Sequence, residues 1–416
     1  MTARMDLGTQ AVAGSDAFVA RGAAWNRMGA VNPRRNLARA QLANSVGDGV
    51  YLVTSAFYFA RIVGLPPAQI GLGLTLGWAV GAVAGLPLGH LADRRGPRGV
   101  AVLLALTTAA AVAAFMFVRS FELFVLVACV YGTAQTGLSA ARQALLAGLV
   151  PPEQRTAVRA VLQATLNGGL AAGAALGGLA LHVDTPEAYL AAFALDALAF
   201  VTAAAVLLRL PSVHPAPAPT GPRMAVLGDR PYALVTLINA VMLFYMPLLS
   251  IVVPLWIATR TSAPAWVVSV MLVINTGSVL LFQVRVARRV KGLDDASASV
   301  RHAGLVMFAA CAVFALSPYG WVFLLVATGL QVLAELLLAP GAWEISFALA
   351  PEDRQGQYQG FFGTGVPVAR MLGPVVLTTL VLGGGTLGWL LLGGAFAAAG
   401  AAMRPAVAWA RRPQPV

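Results

Sequence analysis

Four carboxylates, Asp48, Asp196, Glu335 and Glu344, stand inside long apolar runs of this 416-residue chain. An acid at the centre of such a run costs about 2.5–3.5 kcal/mol on membrane-insertion scales, so each one needs a task or a partner. A carboxyl placed there can load and release a proton, or hold a cationic group where little water competes. Asp48 lies about eight residues, roughly 12 Å, into its run, near mid-depth of a bilayer. A second cluster of charge ends an uncharged run abruptly: "GLPLGHLADRRGPRGV", residues 85–100, carries Asp93, Arg94, Arg95 and Arg98. An acid at the end of one helix can face the positive N-terminus of another, worth about 0.3–1 kcal/mol when exposed and up to ~2 when partly buried. Gly89 would let a neighbouring helix approach closely, and Gly96 would permit a tight reversal.

The elements that must position these groups follow from composition. Hydrophobic residues make up 59% of the chain and charged ones 11%, with a mean hydropathy of +0.78, whereas soluble domains carry about 25% charge. Windows at 99–118, 123–141, 160–183, 231–259 and 261–284 contain no Asp, Glu, Lys or Arg, and each is long enough to cross a bilayer as a helix. Gly383 to Gly385 divide a sixth run, 371–403, and Ser317, Pro318 and Gly320 divide a seventh, 302–334. The total is about twelve spans. Basic residues concentrate on one side: Arg61, Arg119 and Arg260 fall outside, Arg370 lies within a span, and the other Lys and Arg residues are inside. Both termini are therefore expected in the cytoplasm, and the net charge of +12 reflects topology rather than nucleic-acid binding.

Five prolines between 211 and 222 mark a linker. On either side the sequence repeats itself: "PEQR" (152–155) and "PEDR" (351–354) precede the fifth span of each half, and "DRR" (93–95) and "ARR" (287–289) follow the second. The expected fold is an all-α integral membrane protein of twelve transmembrane helices in two pseudo-symmetric six-helix bundles. The expected divisions are a cytoplasmic tail at 1–36, a bundle at 37–210, a linker at 211–231, a bundle at 232–410 and a tail at 411–416. Such a repeat implies a binding site between the halves, near the midplane.

"GHLADRRGPR", with Gly89, Asp93, Arg94, Gly96 and Arg98, resembles the loop motif G-x-x-x-D-R-x-G-R-R of the major facilitator superfamily; Pro97 is the main departure. "NSVGDGVYL", "AFALDALAF" and "AELLLAPGAWEISFALAPEDRQGQYQGFF" look most like the drug and siderophore exporters of that superfamily, particularly those of actinobacteria. The resemblance implies that Asp93 meets the start of helix 11, near Gln355, and latches the cytoplasmic side shut. Ala287 stands at the equivalent place in the second half, so the latch is expected on one side only. The resemblance also implies that helices 1, 4, 7 and 10 line a cavity. Asp48 and Glu335 are then the candidate proton carriers or contacts for a cationic substrate, with Glu344 as a third acid or, since it stands near the cytoplasmic end of its helix, alternatively a part of the inside gate with Arg142 or Arg354.

Asn44, Tyr51, Gln135, Asn239, Met242, Tyr245, Met246 and Gln331 are the candidate cavity wall, suited to a bulky and partly apolar ligand. Gly169, Gly173 and Gly177 repeat every four residues for helix packing and resemble the family's antiporter motif, although Ala174 replaces its proline. Gly373 and Pro374 offer a kink in helix 11. Ala128 takes the place of an arginine common in helix 4 of the drug exporters, so that proton relay is not carried over. Asp196, in a peripheral helix, is expected to bond a neighbouring helix.

His90, His182, His214 and His302 are scattered without metal-ligand spacing, and Cys129 and Cys311 fall inside spans. No phosphate loop is present, and Lys291 is the single lysine, so ATP is not the expected energy source. Residues 1–36 lack the apolar core of a cleaved signal peptide. The expected partners are the lipid bilayer of the cell membrane, protons and a small-molecule substrate, with no cofactor, metal or nucleic acid and a monomeric state. The expected function is proton-driven export of a small amphiphilic compound. Its alternatives are an uptake permease of the same fold and, less favoured by the short loops, a membrane receptor or scaffold.

Overall fold

Proline sets many of the helix starts. Pro33, Pro67, Pro97, Pro152, Pro186 and Pro231 each stand in a first helical turn, where the missing N–H costs nothing and φ is already helical. A computed structural model describes residues 32–213, 224–264 and 266–412. Most of the tail expected at 1–36, the middle of the linker expected at 211–231 and the end of the tail expected at 411–416 lie outside the described residues.

The first half contains α1 (Pro33–Phe57), α2 (Pro67–Arg95), α3 (Pro97–Phe115), α4 (Phe121–Leu149), α5 (Pro152–Val183) and α6 (Pro186–Leu208). The second contains α7 (Arg230–Arg260, interrupted by 3-10 and π turns), α8 (Trp266–Ala287), α9 (Leu293–Ala315) and α10 (Val322–Ala348). It closes with α11 (Gln355–Gly363 and Gly365–Thr378, then a π turn Thr379–Gly383) and α12 (Gly384–Ala410). Among the described residues, ten stretches are long and apolar enough to cross a membrane. The last of these, Glu352–Ala410, is broken at Gly385, where φ is 57° and ψ −135°, into α11 and α12. The twelfth helix, α1, is outside that set because Asn36, Gln41, Asn44, Ser45 and Asp48 lower its hydropathy.

The packing repeats. In the first half α1 lies on α5 and α6, α2 on α4, and α3 on α4 and α6. In the second, α7 lies on α11 and α12, α8 on α10, and α9 on α10 and α12. Each half has its own apolar core. In the first, Phe59 packs on Phe124 and Tyr58 on Phe193, with ring centroids 4.6 and 4.8 Å apart. In the second, Trp389 stacks on Phe314 at 4.9 Å, and Trp256 donates its indole N–H to Ser317 Oγ at 2.8 Å. Met242 is wholly enclosed in this second core. Its flexible thioether fills core space there.

Gly169, Gly173 and Gly177 of α5 face α1, where a Cβ on Gly173 would run into the carbonyl oxygen of Val46. Gly373 of α11 lies against the Pro247 ring of α7, and Pro374 sits inside α11 shortly before its closing π turn. Between the halves, α2 and α4 meet α11, while α5 meets α8 and α10.

The glycine seam predicts a paired result. Gly173→Leu forces α1 and α5 apart and lowers stability by about 1–3 kcal/mol. Gly178→Leu, at a position with nothing within 4 Å, leaves stability nearly unchanged. Thermal unfolding of both variants in detergent checks this, and equal melting temperatures would contradict the seam.

Candidate functional site

The start of α11 has no cap of its own. Arg354 occupies the N-cap position and makes no capping hydrogen bond, since its side chain has only donors. The amides of the second and third helical residues, which a local Ser or Asp would ordinarily bind, are left to find a partner elsewhere. That partner is Asp93, at the end of α2 in the other half. Its Oδ1 accepts from the Gly356 N–H at 2.6 Å and its Oδ2 from the Gln357 N–H at 2.8 Å.

The approach requires glycine on both helices. A Cβ on Gly89 would strike the Gly356 carbonyl oxygen, and one on Gly360 would strike that of Gly85. Gly96, at φ 89°, then turns the chain into α3, and Arg98 donates to the Leu210 carbonyl at 2.7 Å. Arg94 makes no hydrogen bond or ion pair among the described residues.

The seam extends sideways. Gln357 Oε1 accepts from the Val226 N–H at 3.3 Å, and its Nε2 lies 3.2 Å from His90 Nδ1. On the other flank Thr156 of α5 donates to Glu344 Oε2 at 2.5 Å. Glu344 thus stands at the inner seam with Thr156 as its hydrogen-bond partner, and Arg354 pairs with Asp353 at 3.5 Å. The Arg159 guanidinium lies over Trp343 and Phe347, 5.2 and 5.5 Å from their centroids. Among the described residues, the hydrogen bonds between the halves all lie at this end of the bundle.

Deeper in, Asp48 is held on both oxygens. Oδ1 accepts from Gln135 Nε2 at 3.0 Å and Oδ2 from Asn44 Nδ2 at 3.1 Å. Gln135 also lies 3.1 Å from the Tyr131 hydroxyl, and Tyr131 packs on Tyr51 at 5.3 Å. The cations whose field reaches Asp48 are Arg142, in its own half, and Arg370 on α11 in the other. Arg370 reaches across the interface, its guanidinium 4.9 Å from the centroid of Trp78 on α2. In the second half, Glu335 Oε2 accepts from Asn275 Nδ2 at 3.0 Å and is also bonded by Tyr245. Gln331 and Asn239 are buried with their amide oxygens unpartnered.

The structure thus gathers Asn44, Asp48 and Gln135 into one group and Tyr245 and Glu335 into another, and leaves Glu344 at the seam. It adds Tyr131, Trp78 and Asn275, which sequence reasoning passed over; Asn275 had a visible signal as an amide in an uncharged window. Asp196 makes none of the bonds expected of it. It is wholly buried, and neither oxygen has a hydrogen-bond partner, because the residue of α1 facing it is Gly47, which has no side chain to offer. Among the described residues no three His, Cys, Asp or Glu side chains gather as metal ligands.

The chain is similar over most of its length to solved transporter structures. The human organic anion transporter TETRAN is 18% identical, with 90% of this chain and 100% of that one covered at a TM-score of 0.68. A bacterial homologue of the iron transporter ferroportin, in an outward-facing state, is 15% identical, with 91% and 99% covered at 0.75. The E. coli fucose:proton symporter FucP is 14% identical, with 92% and 99% covered at 0.68. At these identities the likeness is one of fold. No curated protein sequence matches the chain. The family model described as Major Facilitator Superfamily matches residues 37–293, more than half of the sequence, and this chain therefore belongs to the Major Facilitator Superfamily, a family of membrane transporters and not of enzymes.

Proposed function

We propose that this transporter exports a small amphiphilic compound, a drug, natural product or siderophore, in exchange for protons. Residues 37–210 and 232–410 rock as two bundles across the cell membrane, with the Asp93 end facing the cytoplasm and both termini on that side. Protons load and unload at Asp48 and Glu335, and the inner wall offers Asn44, Tyr51, Gln135, Asn239, Tyr245 and Gln331 to the substrate. The observation that carries this reading is the placement of Arg370: it belongs to the second half, its guanidinium lies 4.9 Å from the ring centroid of Trp78 in the first, and its field reaches Asp48 there. Rocking separates Arg370 from Asp48 and so alters how firmly Asp48 holds a proton. Binding of a proton is thereby linked to which side is open, as alternating access demands.

A second direction of transport, uptake by symport, is favoured by the names of two structural relatives, the fucose:proton symporter and a proton:xylose symporter. Proteoliposomes with a pH gradient imposed in either sense decide between them by the direction of dye movement.

Asp93 acts as the latch in this scheme. Asp93→Asn leaves one neutral acceptor for one of the two amides and sets an Nδ2 donor against the other, and each lost charge-assisted bond is worth about 1.5–3 kcal/mol. Cytoplasm-open forms should rise roughly ten- to hundred-fold. The measurement is thiol labelling of Ser346→Cys, buried beside Gln359, in a background lacking Cys129 and Cys311. Equal labelling rates in the variant and its parent would remove the latch.

Asp48→Asn and Glu335→Gln should each leave a folded protein whose pH-driven accumulation of amphiphilic fluorescent dyes in inverted vesicles falls to background. Unchanged accumulation in both would exclude these carboxyls as the proton carriers.

A further inference from the structure

Asp196 is left over once the latch and the two mid-span groups are assigned. It lies on α6, it is wholly buried, and both oxygens lack hydrogen-bond partners. It packs against α1 at Gly47, where a Cβ would strike its Oδ1 and come within 2.8 Å of Ala199 Cβ. Gly47 directly precedes Asp48, and adjacent residues on a helix point about 100° apart. Two carboxylates therefore flank the same turn of α1, one against α6 and one towards α4.

Their surroundings differ. Asp48 has two amide donors and the fields of Arg142 and Arg370. Asp196 has no donor, and the charge that reaches it is that of Asp48 itself. Tyr51 and Tyr131, which feel both acids, are the other titratable groups nearby. The remaining helices packed on α6 bring no charge to this depth. The charges of α3 and α5 sit towards their ends, at Arg98 and at Glu153, Arg155, Arg159 and His182, and those of α6 itself at Glu187 and Arg209. An anion so enclosed, with no donor and only a like charge in reach, is among the least favourable arrangements a protein can hold. A proton on the carboxyl relieves it. Two acids in mutual reach then titrate as a pair rather than singly.

We infer that Asp196 is a second proton-binding site, which keeps its proton while Asp48 is ionised and forms with Asp48 a two-carboxyl store flanking α1. The inference deepens the proton-coupled reading and rests on it for the role of Asp48. When a proton passes between them, an O–H bond breaks at one carboxyl and forms at the other. When the store empties to solvent, each carboxyl releases one proton, and no other reactant is needed.

The test is infrared difference spectroscopy of the purified full-length protein in lipid vesicles, following the carboxylic-acid carbonyl band as pH is varied. The parent and Asp48→Asn should both keep an acid band at neutral pH that Asp196→Asn lacks. In Asp196→Asn, the remaining band of Asp48 should move by at least tenfold in proton concentration relative to the parent. Asn has the shape of the protonated acid, so the melting temperature should hold; if Asp196→Asn fails to fold, Asp196→Leu serves in its place. Identical acid bands in parent and variant at every pH would overturn the inference. A parent that shows the Asp196 band but moves no dye with pH would instead sink the transport reading and leave this site standing.

Discussion

A helix that begins without a cap leaves amide hydrogens that something else must bind. Here the carboxylate that binds them comes from the other half of the molecule, 263 residues away in sequence. Everything at that end depends on the same contact. Two helices cross closely enough for Asp93 to reach because Gly85 and Gly89 meet Gly356 and Gly360, and a side chain at any of these would hold the carboxylate off. Binding is strong in geometry yet modest in net free energy, because water stands ready to take both the amides and the acid once the seam parts. A closure of that kind is easily made and easily lost. Two states separated by only a few kcal/mol are what a protein with alternating access requires.

The interior works by a different rule, because water is scarce there and an unmet charge is costly. Asp48 and Glu335 are each provided with amide donors, from Gln135 and Asn44 in one half and from Asn275 in the other. Amide hydrogens bond a carboxyl whether it is ionised or protonated, so neither state leaves the acid stranded. The cations are placed less symmetrically. Arg142 belongs to the same half as Asp48, while Arg370 belongs to the other half and rests on Trp78. An acid in reach of one cation from each half is sensitive to how the halves are placed.

How much of this was legible in the sequence follows from how local each feature is. The twelve helices were visible, because apolar runs and their Gly and Pro breaks are local, and the division at Gly385 is a local backbone event. The Asp93 corner was visible as an acid that an inside-positive bias does not call for. Its two amide partners were not readable from periodicity, since a hydrogen bond across 263 residues leaves no local trace; they came by way of the family motif. Glu344 was legible as a proton site or a gate residue, but not its partner, because only the helix crossing puts the Thr156 hydroxyl beside it. The bond expected of Asp196 failed because facing is not local. A mid-span residue shows its chemistry in the sequence but not its facing, and a turn of a third of a helix separates a cavity wall from a core.

The two seams that join the halves are related by the internal repeat but are chemically unequal. Where α2 meets α11, the closure is polar: a carboxylate on amides, with Gln357 bridging His90 and the Val226 amide beside it. Where α5 meets α8 and α10, the residue equivalent to Asp93 is Ala287, buried with Ala160 and Trp343 in a small apolar cluster, Arg159 lies over aromatic faces, and the polar contact is the Thr156 hydroxyl on Glu344. Wetting the first seam replaces protein hydrogen bonds by water hydrogen bonds at little net cost. Wetting the second exposes apolar surface at about 25 cal/mol per Å². The first seam, closed by two bonds to a carboxylate and little apolar area, is therefore the cheaper one to wet. The internal repeat thus carries two closures of different chemistry, with an acid at the first seam where the second has alanine.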